Sequence, residues 1–157
     1  MKSLLFTSEN VKLCAEGIKT VTRRTHGLEE INKDPSSWNY CATVCRVMPP
    51  VKTGDLIFQH GDGHCEAVIP QYKEGETVYI KEAFWDDSGD IYFKSDFTDG
   101  NLPTAFVCSD AKWKSPMFLK EIFARYFLQV TDVRCERLQD ISFEDCLAEG
   151  IVHTKYW

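Results

Sequence analysis

Thr77-Val78-Tyr79-Ile80-Lys81-Glu82 is the stretch on which the fold turns. β-Branched and aromatic residues dominate it, and Val78 and Ile80 fall on one face of an extended chain, as a half-buried strand requires. Glu82-Ala83-Phe84-Trp85 continues the pattern. Similar short runs recur on either side. Asp55–Gln59 and His64–Ile69 flank Gly61-Asp62-Gly63, which predicts a hairpin closed by a glycine turn. Asp90–Lys94 follows Ser88-Gly89 as another strand. Phe127–Arg137 reads as the clearest long one, with Leu128, Val130 and Val133 among its apolar members, and Leu4–Phe6 as a short buried one.

Helices are few. Ser8 is expected to cap one over Glu9–Glu16, with Val11, Cys14 and Ala15 as its apolar face and Gly17 as its stop. Ser142, with Glu144 and Asp145 behind it, opens another that Gly150 ends. His26–Trp38 is polar and holds Pro35, so it reads as a loop, and Phe97–Lys114 as a long surface excursion. Phe118, Phe123, Tyr126 and Phe127 are assigned mainly to the core. Many short strands with few helices predict an α+β, mainly β fold: a small barrel with short flanking helices and an inserted hairpin. No repeat, low-complexity tract or linker interrupts it, so 157 residues predict a single domain.

Hydrophobic and charged shares of 43% and 27% are those of a globular protein. A net charge of −6 argues against broad electrostatic capture of nucleic acid, so a nucleic-acid partner is expected to be small or bound locally. Leu4-Leu5-Phe6 is too short for an export signal or a membrane span. Seven cysteines without framework spacing then predict reduced thiols in the cytoplasm and no membrane partner. Cys41-x3-Cys45 with His60, His64 and Cys65 has the residue types of a zinc site, but its spacing is not that of a common ligand pair. Buried thiols and surface histidines are the better reading, with neither metal nor cofactor expected. Asp86, Asp87 and Asp90 read as a turn.

Gly17-Ile18-Lys19-Thr20-Val21-Thr22-Arg23-Arg24 carries the chemistry. If Thr20–Arg24 is extended, Thr20, Thr22 and Arg24 share one face, with Val21 and Arg23 on the other. Lys19 leaves a glycine turn beside other cations, which weakens an ammonium's hold on its proton. That suits amine chemistry or phosphate capture, whereas a solvated charge run on a surface strand is the alternative.

Four segments together resemble the ASCH family, whose fold is a PUA-like β-barrel. They are Gly17–Arg24, close to a Gly-x-Lys-Thr-x-Thr-x-Arg signature; Tyr72–Trp85; Lys112-Trp113-Lys114-Ser115-Pro116; and Phe127–Ile151 with its Arg137–Ser142 stretch, as in longer bacterial and phage members. The resemblance implies binding of RNA or a modified nucleoside. Short members hydrolyse N4-acetylcytidine, and their catalytic lysine, threonine and glutamate fall on Lys19, Thr22 and Glu149. Lys19 could attack or orient a water, Glu149 could accept a proton, and Thr22 could donate to an oxyanion or fix the lysine. Thr20, Arg23 and Arg24 would line the cleft, with the Arg24 fork holding a phosphate or the base carbonyl. Trp85 or Trp113 could stack on a pyrimidine. Glu82 is a second acid or base candidate, though an ion pair with Lys81 or an arginine is the better reading of it.

The chain departs from that pattern in three places. An insert of about residues 26–70 exceeds what the short hydrolases carry. Met117-Phe118-Leu119 stands where longer members have His-Met-Pro. The sequence ends at Trp157, before the final barrel strand of longer relatives. Either this is a truncated form, or a shortened tail or a partner chain covers the open edge. Since an uncovered edge invites association, a homodimer is the side expectation. The readings left standing are an acylcytidine amidohydrolase, a non-catalytic RNA-binding module and a phage-related protein-interaction module.

Overall fold

The computed structural model describes residues 1–41, 55–97 and 101–151. Among them, in chain order, run β1 (Lys2–Leu5), α1 (Ser8–Ala15), β2 (Trp38–Cys41), β3 (Leu56–His60), β4 (Cys65–Val68), β5 (Thr77–Lys81), β6 (Phe84–Asp87), β7 (Asp90–Phe93), α2 (Thr104–Cys108), β8 (Phe127–Gln129) and α3 (Phe143–Ala148), joined by loops and short 3-10 turns. The fold is α+β and mostly β. Its described sheets are open: β1-β5-β8, β2-β3-β4 and the β6-β7 pair. By contact the chain falls into two compact units. The first comprises Met1–Thr22, Thr77–Gln129 and Ser142–Trp157; the second comprises Arg23–Glu76 and Val130–Ile141.

In the first unit β5 is the central strand. β1 runs parallel to it, with Leu4 opposite Ile80, and β8 antiparallel, with Val78 opposite Leu128. Val78, Tyr79 and Ile80 are all buried, so β5 is covered on both faces, which explains its unbroken apolar run. Each such side chain is worth about 1.5–3 kcal/mol of burial. α1 begins one residue earlier than expected, because Thr7 rather than Ser8 caps it, its hydroxyl accepting from the Asn10 amide at 3.3 Å. In the second unit the expected hairpin forms from β3 and β4, with β2 added antiparallel to β3. Ile31, Phe58 and Val68 make its core, with Leu28, Trp38, Leu56 and Cys135 packed against them.

Several local expectations are corrected. Glu82–Trp85 does not prolong β5: Glu82 turns inward, and β6 then pairs with β7. The Phe127–Arg137 strand stops at Gln129, apart from one more exchange in which Val130 bonds Glu76 and Gly75. Beyond it the partner chain turns away at Gly75, whose φ of +79° suits glycine. Thr20–Arg24 joins no described strand; the Thr20 and Val21 amides both bond the Ala148 carbonyl at the end of α3. The 26–38 loop holds 3-10 turns at Ile31–Lys33 and Pro35–Ser37, and the 97–114 excursion holds α2, which buries Phe106. Phe118, Phe123 and Phe127 are exposed, because Leu119 and Leu128 take the inward positions beside them. Cys45 and the tail beyond Ile151 lie outside the described residues. Among those residues, no His, Cys, Asp or Glu group could hold a metal, and no helix is long and apolar enough to cross a membrane.

A buried polar network holds the first unit together. Glu82 is 1% exposed and grips Arg125 bidentately, Nε to Oε1 at 2.8 Å and Nη2 to Oε2 at 2.9 Å. The Ser95 hydroxyl donates to Glu82 Oε2 at 2.5 Å and accepts from Arg125 Nη2 at 2.7 Å, while Arg125 Nη1 reaches Asp96 at 2.7 Å. Burial works against the guanidinium's charge, but the bonds to Glu82 and Asp96 outweigh it and raise the Arg125 pKa above its usual value. Arg125→Ala leaves the carboxylate buried without its counter-ion and is expected to cost about 3 kcal/mol of folding free energy, read from urea unfolding. An unchanged urea midpoint would show that the fold does not rely on this pair.

Candidate functional site

Two helix ends position Lys19. α1 finishes at Ala15, and Gly17, at φ +73°, turns the chain so that the Ile18 and Lys19 amides both bond the Leu13 carbonyl, at 2.9 and 3.0 Å. α3, capped by the Ser142 hydroxyl at 3.0 Å from the Asp145 amide, ends in a second glycine turn. There Gly150 has φ +85°, its amide bonds Leu147 O at 2.8 Å, and the Ile151 amide bonds Cys146 O at 3.1 Å. The next carbonyl, Ala148, accepts from Thr20 and Val21 at 2.8 and 3.0 Å. Residues 18–21 are thus strung between the carbonyl ends of two helices.

The Lys19 side chain completes that arrangement. Its Nζ donates to the Glu149 carbonyl at 2.7 Å and to Glu149 Oε2 at 2.7 Å, across a sequence separation of 130. The lysine side chain is 5% exposed and the glutamate's 17%, so Glu149 is the more accessible of the two. The Phe6 ring centroid lies 6.0 Å from the ammonium. Nearby, burial pushes the Cys14 thiol pKa up, with the charge of Lys19 pulling the other way. Where the sequence sets cations around Lys19, the groups in contact with its ammonium are a carboxylate and a helix-end carbonyl, both carrying negative charge.

The other expected residues are spread more widely. Thr20 is exposed and Thr22 partly buried on the same segment. Arg23 and Arg24 belong to the second unit, where Arg23 pairs with Glu136 and Arg24 is exposed. Glu82 is in an ion pair, and of the two partners expected for it, Lys81 or an arginine, the structure has Arg125. Trp85 is buried, stacked on Tyr92 at 5.2 Å and meeting Phe106 edge-on at 5.2 Å; Trp113 stacks on Phe106 at 4.6 Å. The geometry therefore brings Lys19 and Glu149 together, while Glu82, Trp85 and Trp113 are occupied by other partners. Sequence reasoning missed Arg125, a single arginine before a short strand with no motif to pair it with Glu82. Gly150 was legible only as a helix stop, whereas its backbone also sets the turn that carries Glu149.

No family model, curated protein or solved structure matches the chain.

A methyl group at Gly150 would lie 2.7 Å from Leu13 Cδ1 and 3.6 Å from Lys19 Cβ, in a left-handed backbone conformation. The Leu13 end can move aside, but the backbone strain remains. Gly150→Ala is accordingly expected to destabilise by about 1–2 kcal/mol, measured by thermal or urea unfolding. A variant as stable as the parent would mean that this turn tolerates a side chain.

Proposed function

We propose that this chain is a PUA-like ASCH domain that binds RNA or a modified nucleoside beside Lys19 and Glu149. On this reading the β1-β5-β8 sheet belongs to the barrel of that fold. The reaction the pair fits is hydrolysis of the amide of an N4-acylated cytidine. The observation that carries the reading is the Lys19–Glu149 contact. The family resemblance selects these residues from opposite ends of the chain, and their side chains lie 2.7 Å apart.

The chemistry follows from the charges. Glu149 accepts a proton from water as the water oxygen bonds to the acyl carbon. The Lys19 ammonium, joined by the Thr22 hydroxyl, donates to the oxygen on which negative charge develops. The acyl carbon–N4 bond then breaks as the proton passes from Glu149 to N4, leaving cytidine and the free carboxylic acid. Non-catalytic RNA binding is the second reading. It is favoured by the near-complete burial of Lys19 and its two hydrogen bonds to Glu149, which suit a structural clasp. The exposed Arg24 would then supply a phosphate contact.

Chromatography of N4-acetylcytidine incubated with the protein tests the two. Cytidine release is expected from the wild type, and Lys19→Ala, checked for folding by circular dichroism, should lose at least about a hundredfold in rate. A folded wild-type protein that releases nothing removes the amidohydrolase reading and leaves RNA binding or a protein-interaction role, and full turnover by Lys19→Ala removes Lys19 from the mechanism.

A further inference from the structure

A groove elsewhere in the first unit has features that neither the Lys19 clasp nor the fold accounts for. It encloses about 460 Å³ between β6 and the chain that follows Lys114, within the size range of ligand sites. Phe84 and Ile91 form part of its wall, Phe118 and Phe123 its apolar rim, and Lys114 and Lys120 supply its positive charge. Phe118 is 69% exposed and Phe123 43%, and neighbouring Met117 and Ile122 are exposed as well. This exposure is built in. Leu119, 1% exposed, anchors the ridge, and 3-10 turns at Pro116–Phe118 and Glu121–Phe123 hold its backbone, with Leu119 N on Pro116 O at 3.0 Å and Phe123 N on Lys120 O at 3.0 Å.

The occupant is constrained by what the groove lacks. Phe84 exchanges both backbone bonds with Lys114, at 3.3 and 2.7 Å, so at this point the β6 edge is closed to an added peptide strand. Recognition is left to ring faces and ammonium groups. One carboxylate, Asp86, also faces the groove, 3.5 Å from the Lys114 ammonium, which directs an incoming anion toward Lys120. Exposed aromatic rings beside Lys114 and Lys120, a local positive charge in a chain of net charge −6, match a short length of ligand with flat bases on an anionic backbone. We propose that this groove binds single-stranded RNA, one base stacking on Phe118 or Phe123 and the adjoining phosphate held by Lys120. The proposal takes from the reading above only that the ligand is RNA; the site and its residues are separate.

Fluorescence anisotropy with a labelled single-stranded octauridylate tests it. Wild type should bind, and Phe118→Ala and Lys120→Ala should each weaken binding about tenfold. Lys120→Ala should also flatten the dependence of log affinity on log salt by about one unit. N4-Acetylcytidine turnover, measured in parallel, should survive Phe118→Ala. Groove-dependent RNA binding by a protein without that turnover would still support the groove and remove only the amidohydrolase reading. Absent binding by the wild type, or equal binding by both variants, overturns the proposal. So does self-association that Phe118→Ala abolishes while RNA binding is unchanged, which would make the ridge a protein contact.

Discussion

The first unit is organised around one buried charge. Glu82 sits at the end of the central strand, and its carboxylate is met by Arg125 from just before β8 and by Ser95 from the turn after β7. One side chain therefore ties the paired strands β5 and β8 to the β6-β7 hairpin, which belongs to a different sheet. Buried carboxylates are tolerated only when their oxygens are satisfied, so the positions of these segments are mutually enforced. Arg125 adds cation–π contacts, its guanidinium lying 4.2 Å from the Phe93 ring centroid and 5.1 Å from that of Tyr126. The break between β5 and β6 follows from this: a chain that continued straight would carry the carboxylate away from its partners.

Glu149 offers the informative contrast. Both glutamates pair with a cation, but Glu82 has its oxygens filled by Arg125 and Ser95 at 1% exposure, whereas Glu149 keeps a partly exposed side chain and engages Lys19 through one described oxygen. The first is sealed inside the unit, and the second lies nearer the surface. The strands and helix turns around Lys19 then act as a mounting, with the carbonyls of Leu13 and Ala148 fixing the backbone on either side of it.

What could be read from the sequence was local. β5, the β3–β4 hairpin, β7 and both longer helices declared themselves through periodicity, turn glycines and capping hydroxyls, all of which act over a few residues. Phe127–Arg137 was read too long because its apolar alternation outlasts its partner, and the place where Gly75 turns is invisible from that segment. Phe118 and Phe123 were assigned inward by residue type, yet the geometry of two consecutive 3-10 turns gave the inward place to Leu119. Lys19 and Glu149 were linked only through a motif resemblance, since no local signal spans 130 residues. Arg125 had no such motif, and its pairing with Glu82 is a property of the assembled sheets.

Each unit is assembled from chain segments that lie far apart. β1 finds its partner only in β5, on the far side of Arg23–Glu76, and Lys19 waits for α3 near the other end. The second unit in turn needs Cys135 and Glu136, which follow β8. Such pairings raise contact order and charge the entropy of closing long loops before any contact rewards it. A chain emerging from the ribosome therefore carries Leu4 and Phe6 uncovered until β5 has followed them out. The topology that builds the Lys19 clasp thus also places this molecule among slow folders, with a nascent apolar N-terminal strand to protect.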